Sequence, residues 1–169
     1  MAVIRETNLR VFRIPGGESA PIPIGGGVSS FEANIPLQTT TLESVGRFCQ
    51  VDMVTGIEPA EASVEFTGIA ADDLSSILNF NEPVRLQLFT EVVTETAESA
   101  RASVVNRTLE VILRFHGDLP LGSREQGELA SYDATGQIRL FVITDDGNEV
   151  FYFNPFTDEY RVNGQSVIG

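Results

Sequence analysis

Few residues of this chain could carry chemistry, and they are scattered. The sole histidine, His116, closes an alternating segment just before Gly117. It could serve as a general base, because imidazole changes charge near neutral pH. Its strand position favours a surface or interface side chain instead. The sole cysteine, Cys49, would need a base to become a nucleophile, and no second histidine exists to supply one. Packing of a small side chain is the better account of it. Asp145-Asp146-Gly147-Asn148 has the opening residues of a calcium loop but lacks the remaining ligand spacing and the closing Glu. An Asp-Gly hairpin turn accounts for it fully. Asn106-Arg107-Thr108 matches a glycosylation triplet by chance, since it falls inside a strand. Gly25-Gly26-Gly27 lacks the spacing of a phosphate-binding loop, and Glu91, Glu95 and Glu98 read as a solvated acidic loop. The expectation is therefore no catalytic residue, no cofactor, no metal site and no enzyme.

The elements that would position any site are strands. Between residues 101 and 116, Val105, Leu109, Val111, Leu113 and Phe115 share one face, with Arg107 as its one charged member. Asn106, Thr108, Glu110, Arg114 and His116 share the other, with Ile112 as the apolar exception. Period-two alternation marks a half-buried antiparallel strand, here far longer than the usual ~6 residues. A loop with Gly117, Pro120, Gly122 and Gly127 follows. A second strand carries Ile138, Leu140 and Val142, expected to face the core against Leu109, Val111, Leu113 and Phe115. So long a strand either wraps a barrel or leaves its domain to pair with a neighbour.

Shorter alternations suggest strands at 9–12, 30–35, 60–69, 84–88, 149–153 and 160–162. One helix is expected where Asp72 and Asp73 favour a helix N-terminus and Leu74, Ile77 and Leu78 follow at helical spacing. Residues 90–99 read as a hairpin tip or solvated loop. The fold class is mainly β: an antiparallel barrel or sandwich of about eight strands with one short flanking α-helix. Residues 1–169 form a single domain with extended loop arms at about 14–27 and 38–55.

Composition bounds the partners. The net charge of −13 is opposite in sign to the basic footprint that nucleic-acid binding needs, and it opposes anionic membranes. All 11 cationic residues are arginine, which compositional bias explains as well as any need for fixed ion pairs. No apolar run is long enough to cross a bilayer, no signal-peptide pattern opens the chain, and a single cysteine suits a reducing compartment.

In the order of its features the chain resembles the major tail tube protein family of contractile-tailed bacteriophages. Gln126-Gly127-Glu128 closes the long loop as a similar element does in that family. The strand at 138–144, the turn at Asp146-Gly147, Tyr160-Arg161-Val162-Asn163-Gly164 and the closing Ile168-Gly169 follow in the family's order. The strand at 60–69 leading into an acidic-start helix also fits. The resemblance implies protomers in hexameric rings whose strands join into one inner barrel, the rings stacking as a tube. It also implies a virion tail tube assembled in the host cytoplasm. The implied partners are further copies of the chain, tail sheath, tape measure, baseplate and tail terminator proteins. DNA would pass through the lumen during genome ejection without specific binding, and no membrane is involved. Glu61, Glu65, Glu91 and Glu110, each on the polar side of an alternating segment, are the expected lumen-lining residues, and the lumen is expected to be acidic. The tube of a bacteriocin, an extracellular injection system or a type VI secretion system is the nearest alternative. A monomeric β-sandwich ligand-binding module is the second.

Overall fold

Alternation in the sequence becomes alternation of burial in the structure. In the strand Glu61–Thr67, Ala62, Val64 and Phe66 are buried, whereas Glu61 and Ser63 are exposed. The computed structural model describes residues 2–14, 21–24, 27–42, 51–79, 81–96 and 102–167. Its elements in chain order are β1 (Ala2–Ile14), β2 (Ile22–Pro23), β3 (Val28–Asn34), β4 (Leu37–Leu42), β5 (Val51–Ile57), β6 (Glu61–Thr67), α1 (Ala71–Leu78), β7 (Val84–Thr96), β8 (Ser103–His116), β9 (Ser131–Asp145), β10 (Asn148–Asn154), β11 (Glu159–Val162) and β12 (Gln165–Ser166).

One antiparallel sheet holds ten of the strands, in the order β12-β11-β10-β9-β8-β7-β1-β2, with β6 paired to β9 and β3 paired to β6. β4 and β5 form a separate two-stranded hairpin. The core lies on one face of the large sheet. Val111 and Leu113 of β8, Leu86 and Leu88 of β7, Val64 and Phe66 of β6, and Ile138 of β9 are almost wholly excluded from solvent. The sheet curls around this core until β1 touches β3, and Phe31 of β3 stacks on Phe141 of β9 with centroids 6.4 Å apart. The architecture is that of a mainly β, barrel-like domain with one short helix, as the sequence predicts.

The helix starts without a side-chain cap, but Asp72 and Asp73 lie in its first turn, where the dipole favours negative charge. Ile77 enters the core. Asp73 is also buried, and its Oδ1 accepts a hydrogen bond from Arg13 Nε at 3.1 Å, which clips the helix to β1. A near-buried carboxylate costs heavily in desolvation unless it is paired in this way.

Four expectations are corrected. β1 is not a short segment around Leu9 but begins at Ala2, and β7 runs on to Thr96 where a loop is expected. Both extensions mix adjacent apolar residues with polar ones and show no one-sided alternation, so hydrophobic patterning does not reveal them. Of the arm at 14–27, Ile14 and Ile24 are buried, and the Ile24 amide bonds the Val11 carbonyl at 3.2 Å. That segment is therefore partly core. Leu140 and Val142 do not face Leu109 and Val111. They pair with Ile112 and Glu110 and share those residues' face, while Ile138, Phe141 and Ile143 lie on the core side. The cause is a β-bulge. Ile112 pairs with Leu140 and Leu113 with Ile138, so Arg139 is the extra residue that shifts the alternation by one.

The core assignment on β8 holds, since Val111, Leu113 and Phe115 are buried. Leu113→Ala or Phe115→Ala should cost about 2–5 kcal/mol and lower the melting temperature sharply. Glu110→Gln, on the opposite face, should stay within about 1 kcal/mol of the parent. Calorimetric melting of the three variants checks the assignment, with Phe141→Ala against Val142→Ala as the corresponding test on β9.

Candidate assembly surface

Register fixes which side chains share the face opposite the core. β8 pairs Asn106 with Glu91 and Glu110 with Val142 and Gln87, while β9 pairs Gln137 with Glu61 and Asp133 with Glu65. Residues directly opposed across a ladder point the same way. Glu61, Glu65, Glu91 and Glu110 therefore all lie on this one face, although they come from three strands.

Each of the four is engaged there. Glu61 lies 3.2 Å from His116, Asn8 donates to Glu91 at 2.7 Å, and Ser131 donates to Glu65 at 3.4 Å. Arg85 pairs with Glu110. Arg5, Arg10 and Arg114 stand on the same face, with Arg5 bonded to Glu95 at 2.7 Å. The face thus interleaves carboxylates with arginines. Cys49 lies outside the described residues. His116 is exposed at a strand end beside Glu61 and is paired in the ladder with Thr135.

The sheet also reaches beyond its core. β1 is exposed at every residue from Ala2 to Arg10, and it lies against the outer halves of β7 and β8 in a three-stranded ribbon. Val3, Ile4 and Val104 are each at least half exposed on that ribbon. The two edges of the ribbon differ. β2 covers β1 only at Phe12 and Arg13, so from Ala2 to Arg10 the outer edge of β1 has no strand partner among the described residues. On the β8 side, the turn between β9 and β10 closes the edge as far out as Asn106. Asp146 Oδ1 accepts from the Asn106 amide at 3.0 Å, and the Asp146 amide donates to the Asn106 carbonyl at 2.9 Å. Asp146 and Gly147 both have positive φ, at 47° and 83°, the tight two-residue hairpin that an Asp-Gly pair allows.

A polar lock holds the ribbon where it leaves the core. Arg107 grips Asp145 through two parallel bonds, Nε to Oδ1 at 2.8 Å and Nη2 to Oδ2 at 2.9 Å. Its Nη1 reaches Glu6 at 3.5 Å, and Thr90 donates to the same carboxylate. Strands β1, β7, β8 and β9 are thereby tied at one level. The Arg107 hydrogen bonds hold the Asp145 carboxyl below its ordinary value, against the opposing pull of partial burial. The Asp145 hydrogen bond likewise raises Arg107. In the sequence Arg107 stands out only as the charged exception on an apolar face, and Asp145 only as a turn residue. The available signal was that a cation on a core face requires a carboxylate partner.

No known family profile matches the chain, and no curated protein matches its sequence. Among solved structures it is similar to a chain of one titled "Cryo-EM structure of the anti-feeding prophage (AFP) baseplate, 6-fold symmetrised". The identity is 14%, the TM-score 0.44, and the overlap covers 80% of this chain and 91% of that one. A likeness of that degree carries no argument about role.

Asp145→Asn should lower stability near neutral pH by no more than about 1 kcal/mol, the scale of a partly exposed pair. Because the folded-state pKa is depressed, the native contribution is complete above the unfolded value and disappears as pH falls through the folded one. The melting difference between Asp145→Asn and the parent should therefore narrow steadily below the ordinary Asp value of 3.8. Thermal melts across an acid pH series measure it.

Proposed function

We propose that this chain is a structural subunit that polymerises through its sheet, and that it serves as the tube protein of a contractile tail or a related injection apparatus. The observation that carries the reading is the outer edge of β1, which from Ala2 to Arg10 is exposed and has no strand partner among the described residues, on a ribbon that extends past the core. An unpaired edge of this length is an association hazard for a monomer and is retained where another chain covers it. Backbone hydrogen bonds along such an edge join subunits without demanding a particular side chain, which suits a ring of identical copies.

The tube assignment itself rests on the sequence resemblance to the tail tube family. In that reading the face bearing Glu61, Glu65, Glu91 and Glu110 lines the lumen. Its interleaved carboxylates and arginines would present passing DNA with little net attraction, so the polymer would not be retained on the wall. The hairpin of β4 and β5 makes no strand pair with the large sheet and exposes Leu37, Met53 and Val54. It is suited to reach an adjacent ring. Sheath, tape measure, baseplate and terminator proteins are the expected further partners.

Negative-stain microscopy and light scattering of the purified protein test the proposal, with rings or tubes as the expected result and a monodisperse monomer as the opposing one. Deletion of residues 2–5, which spares Glu6, removes only exposed positions of β1 and should abolish rings while changing the melting temperature by a few degrees at most. Replacing residues 38–55 by a short turn should leave single rings and prevent stacking. Long tubes from that variant would exclude the hairpin as the contact between rings.

A further inference from the structure

Along one edge of β9, β6 pairs as far as Gln137 and β10 begins at Phe141, so the sheet forks between them. The fork opens a cleft of about 570 Å³. Its floor is apolar, with Ile57, Ile138, Phe153 and Tyr160 among the lining residues. Its acidic lining residues are Glu58, Asp158 and Glu159. None of these three carboxylates has an arginine within 4.0 Å among the described residues, and no cationic residue lines the cleft. Among the described residues, the Glu159 carboxylate accepts a hydrogen bond from Thr157 alone, at 3.2 Å.

We propose that this cleft is a socket for an arginine side chain presented by another protein. An apolar slot bordered by carboxylates matches the two halves of that residue. The aliphatic stem covers apolar floor while the head stays at the polar mouth. The planar guanidinium offers five donors in a fixed fork, enough to bridge separate carboxylates, and it stacks on an aromatic ring such as Tyr160. A bare metal ion fits less well, because no group of three acidic, His or Cys side chains among the described residues is placed to hold one. Charge favours a partner other than a second copy, since each copy carries −13. Most of the chain's described arginines are also engaged already. Arg5, Arg13, Arg85, Arg107 and Arg161 hold carboxylates, while Arg124 and Arg139 lie over Tyr132 and Phe156. The socket is independent of strand pairing along β1 and stands whether or not the chain forms tubes.

The test uses the full chain with isoleucine methyl groups labelled for NMR, a signal that survives in large assemblies, and N-acetyl-arginine amide as probe. Ile57 and Ile138 should shift in a saturable way while Ile4 and Ile77, remote from the cleft, stay still. The double variant Glu58→Gln with Asp158→Asn, both at exposed positions, should melt like the parent and bind the probe at least tenfold more weakly. N-acetyl-leucine amide should bind the parent no better than it binds the variant. Absence of shifts at Ile57 and Ile138, undiminished binding by the variant, or equal binding of the leucine probe would each overturn the proposal. Shifts of the same two methyls on simple dilution of the protein would show a second copy in the socket, and would overturn the assignment to another protein.

Discussion

The fold depends on β9 being hydrogen-bonded along both of its edges. One edge is given to β8 from Thr135 to Asp145, with Ser131 bridged to Ser123 beyond it. The other is divided, its first part to β6 and its last part to β10. Through that division the β3–β6 pair and the β10–β12 meander are joined to the β7–β8 hairpin without touching each other as neighbours in the sheet. The bulge at Arg139 sits at the division and resets which side chains reach the core. A strand with two successive partners must bend between them, and one extra residue supplies the bend. Gly136 marks the same constraint, because a Cβ there would lie 3.1 Å from the Arg114 carbonyl oxygen. A side chain there would require the β8 backbone to give way by a few tenths of an ångström.

Much of this was legible in the sequence wherever burial is one-sided. On β6 and on the inner half of β8, apolar residues alternate with polar ones, and the structure follows that alternation residue by residue. The Asp-Gly and Asn-Gly turns were legible too, because their backbone needs positive φ, as found at Asp146, Gly147, Asn163 and Gly164. The outer halves of β1 and β7 were not. Their residues contact no core in the protomer, so nothing in their hydrophobicity distinguishes a strand from a loop. The bulge at Arg139 was hidden for another reason. Ile138, Leu140 and Val142 alternate perfectly in sequence, and only the ladder shows that the alternation slips by one.

The shared face of Glu61, Glu65, Glu91 and Glu110 was legible as four polar positions, but their partners were not. His116, Arg85, Asn8 and Ser131 come from other strands, and pairing register alone brings them within reach. Gly122 illustrates the same point in the loop before β9. Its φ of 87° requires glycine, and the close approach is to Tyr132, whose ring would lie 2.6 Å from an added Cβ. Arg124 then closes over that ring and donates to the Tyr132 hydroxyl at 3.1 Å. A loop rich in glycine reads as slack in sequence, whereas here it is fitted to an aromatic side chain.

Asp146 has a consequence that concerns direction. By occupying both backbone groups of Asn106, it makes the ribbon chemically unlike on its two sides: the β8 edge is sealed from Asn106 inward, and the β1 edge stays open. Outward of Asn106 the β8 side offers only Ser103, Val104 and Val105, whereas the β1 side offers Ala2 to Arg10 with no strand partner among the described residues. A strand arriving at the ribbon can therefore build a long ladder on one side and only a short one on the other.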